Sequence, residues 1–255
     1  MDNDESVKIK VITIAVGGAT CSGKTTLAKH LRSCLHNSII IHQDDFAPPQ
    51  ELIPIHPEYN VQDWDDAPGA IDWPRLAHFL HDIKQTGVIP ESHKSHDHLN
   101  ENKPVPIEDK LLNEWKSKSE EIVGTKPKEK IIWAILDGFL MYWHQDVIDQ
   151  LDIRLFLRVP NDVLKQRRHE RHGYHTAVQT DPEGSLWRDP PYYWEQIVYP
   201  AYVRAHQHLF TDGDVENGEL NNRVPDLIML DGTKQDMSQM LSRAMERVLE
   251  VSERL

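Results

Sequence analysis

The stretch that decides the fold of this chain is Gly18-Ala19-Thr20-Cys21-Ser22-Gly23-Lys24-Thr25. It matches G-x-x-x-x-G-K-[ST], a glycine-rich loop whose backbone N–H groups surround a phosphate at the start of a helix. The run before it, 11–16, is apolar and β-branched as in a buried strand, and the run after it, 26–31, has the apolar spacing of a helix. The sequence therefore predicts a phosphate-binding loop, with Lys24 able to reach the outer phosphates and the Thr25 hydroxyl able to ligate Mg²⁺.

The composition indicates one globular domain over residues 1–255. Hydrophobic residues make up 39% and charged residues 27%, while 28 basic and 41 acidic side chains give a net charge of −13. So acidic a chain argues against a nucleic-acid partner, and no apolar run approaches the ~20 residues that a membrane span needs. Its two cysteines form no disulfide framework and no signal peptide is visible, which favours a cytoplasmic location and leaves access to the nucleus open.

Alternating strand-like and helix-like runs predict an α/β fold with a parallel sheet covered on both sides. The predicted strands are 11–16, 38–42, 131–136, 153–159 and 227–230. The predicted helices are 25–36, one that begins near Asp72, 163–171, 192–210 and one that begins near Met237. Asp72 suits a helix N-cap, whereas Pro200 predicts a kink or break inside the fourth helix.

Three segments are expected to lie outside this framework. Residues 90–130 predict a surface insertion with a short helix near 109–123, and residues 211–223 predict a flexible acidic insertion. Residues 173–191 carry Gly, Asp and Pro throughout and predict a lid loop. The first insertion also contains three histidines, which indicate a solvated loop more readily than a metal site: His93, His96 and His98.

Carboxylates follow two of the predicted strands. Asp44 and Asp45 come after strand 38–42, and Asp137 comes after strand 131–136. Because ligands bind at the carboxyl ends of the strands in open α/β sheets, these acids should share an edge with the phosphate loop. Asp137 suits a carboxylate that organises Mg²⁺, and Asp44 suits a general base that accepts the proton of a hydroxyl group.

An aromatic–acidic pair and a basic helix complete the candidate site. Trp64 could stack on a flat ring while Asp65 accepts hydrogen bonds from sugar hydroxyls. Arg167 and Arg171 lie four residues apart on one helical face, and Arg168 lies close to that face. These arginines could clamp the phosphates during transfer, with the lid loop closing over them.

Together these pieces resemble the nicotinamide riboside kinase family, within the uridine kinase and phosphoribulokinase-like group. The resemblance covers most of the chain apart from the two insertions. It rests on the stretches 18–26, 43–46, 62–65, 137–139, 167–174 and 230–233. The phosphate loop alone indicates only a nucleotide, whereas Gln43-Asp44-Asp45-Phe46 and Gln62-Asp63-Trp64-Asp65 favour this family over its neighbours.

The resemblance implies a P-loop kinase three-layer fold, in which helices flank a five-stranded parallel sheet and a lid covers the site. It implies transfer of the ATP γ-phosphate, with Mg²⁺, to the ribose 5′-hydroxyl of nicotinamide riboside, and often of nicotinic acid riboside, for NAD salvage. The implied partner is this small riboside. Neither a monomer nor a dimer is indicated.

The resemblance also implies roles for single residues. Asp44 would be the base, Lys24 would hold the phosphates, and Arg171 would contact either the phosphates or the ring carboxamide. The riboside site would comprise Asp44, Asp45, Trp64, Asp65, Arg171 and Tyr174, with Trp64 and Tyr174 flanking the pyridine ring. The ATP site would comprise Gly18, Ala19, Thr20, Cys21, Ser22, Gly23, Lys24, Thr25, Thr26, Arg167, Asp231, Gly232 and Thr233. Magnesium would be held by Thr25, Asp44 and Asp137.

The chain departs from the family pattern at two positions. Asp137 stands where the family suggests Glu, so its contact with the metal could run through water. Trp64 stands where the family suggests Tyr, which keeps an aromatic face. Both insertions are also longer than in compact members of the family.

Three other functions stay open at this point. A uridine/cytidine or pantothenate kinase would share the fold and the phosphate chemistry but use another acceptor pocket. Residues 233–236 resemble the guanine-reading pattern of a GTPase switch, although Asp137 and Gly138 lack the D-x-x-G spacing and no strand follows. A non-catalytic nucleotide-binding regulator is disfavoured by the complete set of candidate catalytic residues.

Overall fold

The computed structural model describes residues 7–100, 103–171, 173–175 and 186–254, which are built around a five-stranded parallel sheet. The strands are β1 (Lys8–Gly18), β2 (Ser38–His42), β3 (Glu129–Gly138), β4 (Ile153–Arg158), β5 (Tyr174–His175), β6 (Leu186–Trp187) and β7 (Leu227–Asp231). The sheet has the order β2-β3-β1-β4-β7, and β5 pairs separately with β6. The predicted sheet of five parallel strands is thereby confirmed, each strand at its predicted place.

The register brings the strand ends that carry the chemistry to one level. β1 pairs with β3 as far as Gly17 opposite Gly138, so the phosphate loop leaves the sheet beside the end of β3. On the other side of β3, His42 at the end of β2 lies opposite Asp137. The loops after β1, β2 and β3 therefore open at the same edge, as expected for ligand binding in this fold class.

Helices cover both faces of the sheet. They are α1 (Lys24–Cys34), α2 (Ala67–Ala70), α3 (Trp73–Thr86), α4 (Asp109–Gly124), α5 (Gln145–Ile148), α6 (Asn161–Glu170), α7 (Tyr199–His206) and α8 (Met237–Arg254). One face packs against α1, α4 and α8, and the other against α3, α5 and α7. Side chains of β1 alternate accordingly, because Ile12 and Ile14 enter the first layer while Val11 and Ala15 enter the second.

Local sequence signals account for where two of the helices begin and break. The Asp72 carboxylate accepts a hydrogen bond from the Arg75 backbone N–H at 3.2 Å, which confirms the predicted N-cap of α3. The helix predicted over 192–210 is divided into a π-helical turn (Trp194–Val198), α7 and a 3₁₀ turn (Gln207–Leu209). Pro200, in the first turn of α7, has no N–H to donate to the preceding turn, which accounts for the break there.

The segment 90–130 contributes to the core as well as to the surface. Its helix α4 packs against α1 and α8 and buries Trp115, which is 7% exposed. The expected solvated loop agrees with the exposure of His98 but is wrong for His93 and His96, which pack against Asp45. Within the described residues, no cluster of three or more His, Cys, Asp or Glu side chains has the geometry of a metal site.

The other two predicted loops are partly described. In 211–223, the Asn221 N–H donates to the Leu209 carbonyl at 2.9 Å and Val215 is buried, so the segment is tied to the body at these points. Of the predicted lid loop 173–191, the structure gives both strands of the β5–β6 hairpin, while 176–185 lie outside the described residues. In the described part of the chain, no helix is both long and apolar enough to cross a membrane.

Candidate active site

The phosphate-binding loop has the backbone shape of an anion cradle. Gly18 has φ 137° and Gly23 has φ 98°, values in the left-handed region that favours glycine. A Cβ at Gly18 would also meet the backbone carbonyl of Leu157 on β4, so no larger residue fits there. The Lys24 ammonium donates to the Ala19 carbonyl at 2.8 Å, which folds it back along the loop. Backbone N–H groups and the N-terminus of α1 thus face the edge where β3 ends.

Thr25 and Asp137 meet next to this loop. The Thr25 hydroxyl donates to the Asp137 carboxylate, whose Oδ2 also lies 3.3 Å from His42 Nδ1. Burial, the largest single influence, opposes ionisation of Asp137, but the His42 hydrogen bond and the Lys24 charge together hold its pKa below the ordinary value. An ionised carboxylate beside a hydroxyl suits Mg²⁺, which takes oxygen ligands and leaves the remaining positions to water and phosphate.

Asp44 lies in the 3₁₀ turn Gln43–Phe46 that follows β2. Its carboxylate accepts a hydrogen bond from the Tyr174 hydroxyl on β5. Burial raises the pKa of Asp44, and the Tyr174 hydrogen bond opposes that shift. Asp137 and Lys24 are near enough for their charges to act on it as well. The predicted base, metal carboxylate and phosphate-loop lysine are therefore brought together at one edge of the sheet.

The arginines of α6 and the turn after it reach the phosphate loop and the lid. Arg167 Nη1 donates to the Cys21 carbonyl at 3.2 Å, and the Arg171 guanidinium lies 4.7 Å from the centroid of the Tyr174 ring. Arg168, the third arginine of the predicted clamp, donates to the Thr20 hydroxyl at 3.2 Å and to Asp189 through two hydrogen bonds of 2.8 and 2.9 Å. The sequence indicates its helical face but not its pairing with Asp189.

Trp64 and Asp65 lie near Arg168 and the lid strand β6. Asp65 is 7% exposed, and the charges of Arg168 and Asp44 act on it. Burial raises the pKa of Asp65 to about 7. The Trp64 ring lies 5.9 Å from that of Trp187 on the lid strand β6. A small cavity connects this acid to the phosphate loop, and its lining includes Asp65, Ala19, Thr20, Phe139, Trp194 and Tyr202.

Two of the predicted site residues, Asp45 and Asp231, have carboxylates that are paired with other side chains of the protein. The Asp45 carboxylate is 4% exposed and is held by His96, whose backbone N–H donates at 3.0 Å, and by His93 at 3.5 Å. Its oxygens face these histidines, and its contact with a substrate stays a prediction. Asp231 bonds Arg158 at 2.8 Å and the Thr233 hydroxyl at 2.6 Å, which fixes the loop after β7 at the same sheet edge.

Several known proteins are similar to this chain in sequence. No protein-family model matches it. A nicotinamide riboside kinase from Saccharomyces cerevisiae is 35% identical over 81% of this chain and 82% of its own length. One from Schizosaccharomyces pombe is 35% identical over 84% and 87%, and one from Eremothecium gossypii is 30% identical over 81% and 80%.

A solved sugar kinase from a Janibacter species covers 96% of this chain and 97% of its own, at a TM-score of 0.45 and 16% identity, a likeness too distant to carry an argument. The fungal relatives cover the chain at a level of identity that leaves no doubt about common descent. Together with the resemblance of its motifs, they assign the chain: it belongs to the nicotinamide riboside kinase family.

Proposed function

We propose that the chain transfers the γ-phosphoryl group of ATP to the 5′-hydroxyl of nicotinamide riboside, and so supplies the mononucleotide for NAD salvage. One observation carries the proposal. A phosphate loop, a buried base and a separate acidic residue converge on one sheet edge in a chain that is 35% identical to two kinases of that name.

The phosphate side of the reaction belongs to the loop after β1. Backbone N–H groups and Lys24 hold the β- and γ-phosphates, and burial, which lowers the pKa of Lys24, removes competing water from its charge. Thr25 and Asp137 would hold Mg²⁺, which neutralises charge on the phosphate oxygens when bound. Asp137 suits that role because its pKa is held low enough for it to stay ionised.

Four residues act on the acceptor in this proposal: Asp44, Trp64, Asp65 and Tyr174. Asp44 accepts the proton of the 5′-hydroxyl as the oxygen attacks the γ-phosphorus, and its raised pKa makes it a better base near neutral pH. Asp65 accepts hydrogen bonds from the ribose hydroxyls. Trp64 and Tyr174 flank the flat pyridine ring. The Tyr174 hydroxyl donates a hydrogen bond to Asp44. This bond must break before the 5′-hydroxyl of the riboside can donate to the same carboxylate.

The arginines stabilise charge during transfer. Arg167 already contacts the loop carbonyl of Cys21, and the charge of Arg171 reaches Lys24 and Tyr174. Their guanidinium groups can therefore meet phosphate oxygens as charge moves between donor and acceptor. Arg171 beside Tyr174 also gives a cation for the ring carboxylate of nicotinic acid riboside, which we include as a second acceptor.

The direct test is phosphorylation of nicotinamide riboside with Mg·ATP, with the product identified by mass and by phosphorus NMR. We expect one phosphate on the 5′-oxygen and no product from the 5′-deoxy riboside. A chelator that removes Mg²⁺ should abolish turnover. Phosphorylation of the 5′-deoxy compound, or none of the parent riboside, would contradict the proposal.

A further inference from the structure

Residues 93–100, which we call the brace, lie within the segment predicted as a surface insertion and touch three parts of the candidate site. At one end, the His93 ring packs between Phe46 and Phe79, with centroids 5.3 and 4.6 Å away. The His96 backbone N–H donates to Asp45. Since Asp45 directly follows the base in the chain, this end of the brace fixes the turn that carries Asp44.

The middle of the brace reaches the metal carboxylate through a second residue. Asp97 forms an ion pair with Lys29 of α1 at 2.7 Å, and its Oδ2 lies 3.9 Å from His42 Nε2. The other ring nitrogen of His42 lies 3.3 Å from Asp137. One imidazole therefore stands between the brace and the carboxylate that we assign to Mg²⁺.

The far end of the brace holds the lid strand. The Asn100 side chain accepts a hydrogen bond from the His175 backbone N–H at 3.0 Å and donates one to the His175 carbonyl at 3.4 Å. His175 directly follows Tyr174, whose hydroxyl bonds Asp44. A primary amide both donates and accepts, so it pairs with a strand edge as another strand would.

We propose that Asn100 is a positioning residue that sets Tyr174 relative to Asp44 and thereby shapes the acceptor site. In the described residues, β5 pairs with β6 through Tyr174 and His175, and the Asn100 amide bonds both backbone groups of His175. The brace, which is anchored beside Asp44, thereby connects the residue next to Tyr174 to the turn that carries Asp44. The inference rests on the proposed function, because the acceptor used in its test is nicotinamide riboside.

A double-mutant cycle between Asn100→Ala and Tyr174→Ala tests this role. Asn100→Ala alone should lower kcat/KM for the riboside about tenfold and leave KM for ATP within about twofold, since a displaced positioning group acts on the acceptor alone. In the Tyr174→Ala background, Asn100→Ala should lower kcat/KM for the riboside by less than about threefold. Asn113→Ala, on the exposed side of α4, is the matched control and should change neither constant.

An equal loss in both backgrounds would overturn the proposal, because Asn100 would then act independently of Tyr174. If Asn100→Ala does not fold, Asn100→Asp removes only the bond that Asn100 donates to the His175 carbonyl. Its loss of kcat/KM should be smaller than that of the alanine variant and should again shrink in the Tyr174→Ala background; an equal loss in both backgrounds would overturn the proposal.

Hydrogen exchange separates this inference from the proposed function. Exchange of the His175 amide should be at least about tenfold faster in the Asn100 variant than in the parent protein, whatever the acceptor. Unchanged exchange would refute the brace contact even in an active kinase. If the parent protein does not phosphorylate nicotinamide riboside but the His175 amide exchanges as expected, the proposed substrate is wrong and the Asn100 contact stands.

Discussion

Asp44, in the turn after β2, and Asp137, near the end of β3, have surroundings that shift their pKa values in opposite directions. Burial raises the pKa of Asp44, whereas the His42 hydrogen bond and the Lys24 charge outweigh burial and lower the pKa of Asp137. Two acids with separated pKa values can take different tasks in one site. In the proposed reaction, Asp44 is therefore the base and Asp137 the metal ligand.

Removal of the base should stop turnover but leave nucleotide binding intact. Asp44→Ala should lower kcat by about 10²–10⁴-fold, because the attacking hydroxyl loses the group that takes its proton. The Kd for ATP, measured by calorimetry, and the unfolding temperature should stay close to those of the parent. Asp146→Ala, at an exposed position of α5, is the control. Normal turnover in the Asp44 variant would remove the assignment.

Asp65 links function to stability through its titration. Its pKa rises to about 7 in the folded protein from ~3.9 in an unfolded chain. An acid with a raised folded-state pKa opposes folding once it ionises, so Asp65→Asn should raise the unfolding temperature at about pH 8. The gain should shrink as the pH falls below about 7 and vanish below about 4.

The same Asp65→Asn variant should raise KM for the riboside much more than KM for ATP, because it weakens the acceptor for ribose hydroxyls. Thermal unfolding across pH and steady-state kinetics measure the two effects. A stabilisation that grows toward acid pH, or an equal rise of both KM values, would refute this account of Asp65.

At the scale of elements, the phosphate loop, the strands and the capped helix follow from local sequence. Apolar β-branched runs and the Asp72 cap act over a few residues, and the structure confirms them. The brace does not follow, because no local sequence pattern near His93 or His96 indicates that they pack against Asp45, which lies far from them along the chain. The part played by Arg168 likewise depends on Asp189, a contact made only in the folded chain.

The contact between α6 and the lid gives a prediction of its own. Arg168 joins Asp189, at the end of the lid segment, to Thr20 in the phosphate loop, and a lysine cannot make both bonds of the planar fork. Arg168→Lys should therefore raise KM for ATP and lower kcat. The two effects together should lower kcat/KM for ATP about tenfold or more. Arg188→Lys, exposed beside Asp189, is the control. Unchanged kinetics for Arg168→Lys would exclude a functional contact.

At the scale of the whole molecule, one sheet separates two helix layers and exposes its chemistry at one edge. The layer of α1, α4 and α8 includes a helix from the predicted insertion, so that segment contributes to the core. In α4, Trp115 is buried in this layer, and its indole N–H donates to the Ser242 hydroxyl of α8 at 3.3 Å. Stability and catalysis should therefore respond to different residues of the same segment.

Trp115→Ala tests this separation. Loss of a buried indole should lower the free energy of unfolding by about 3–5 kcal/mol, measured by denaturant titration. At a temperature where the variant stays folded, kcat and both KM values should match the parent. Trp143→Ala, at a side chain that is 40% exposed, should cost much less. A kinetic defect in folded Trp115→Ala would show that α4 also acts on the site.

The identity of the group that accepts the phosphate is tested most directly with a panel of candidate acceptors. Initial rates with Mg·ATP are compared for nicotinamide riboside, nicotinic acid riboside, uridine, cytidine and pantothenate. We expect the highest kcat/KM for the pyridine ribosides, with the preference reduced by substitution of Trp64 or Tyr174. A preference for uridine, cytidine or pantothenate would contradict the acceptor site described here while leaving the roles of Lys24 and Asp44 in place.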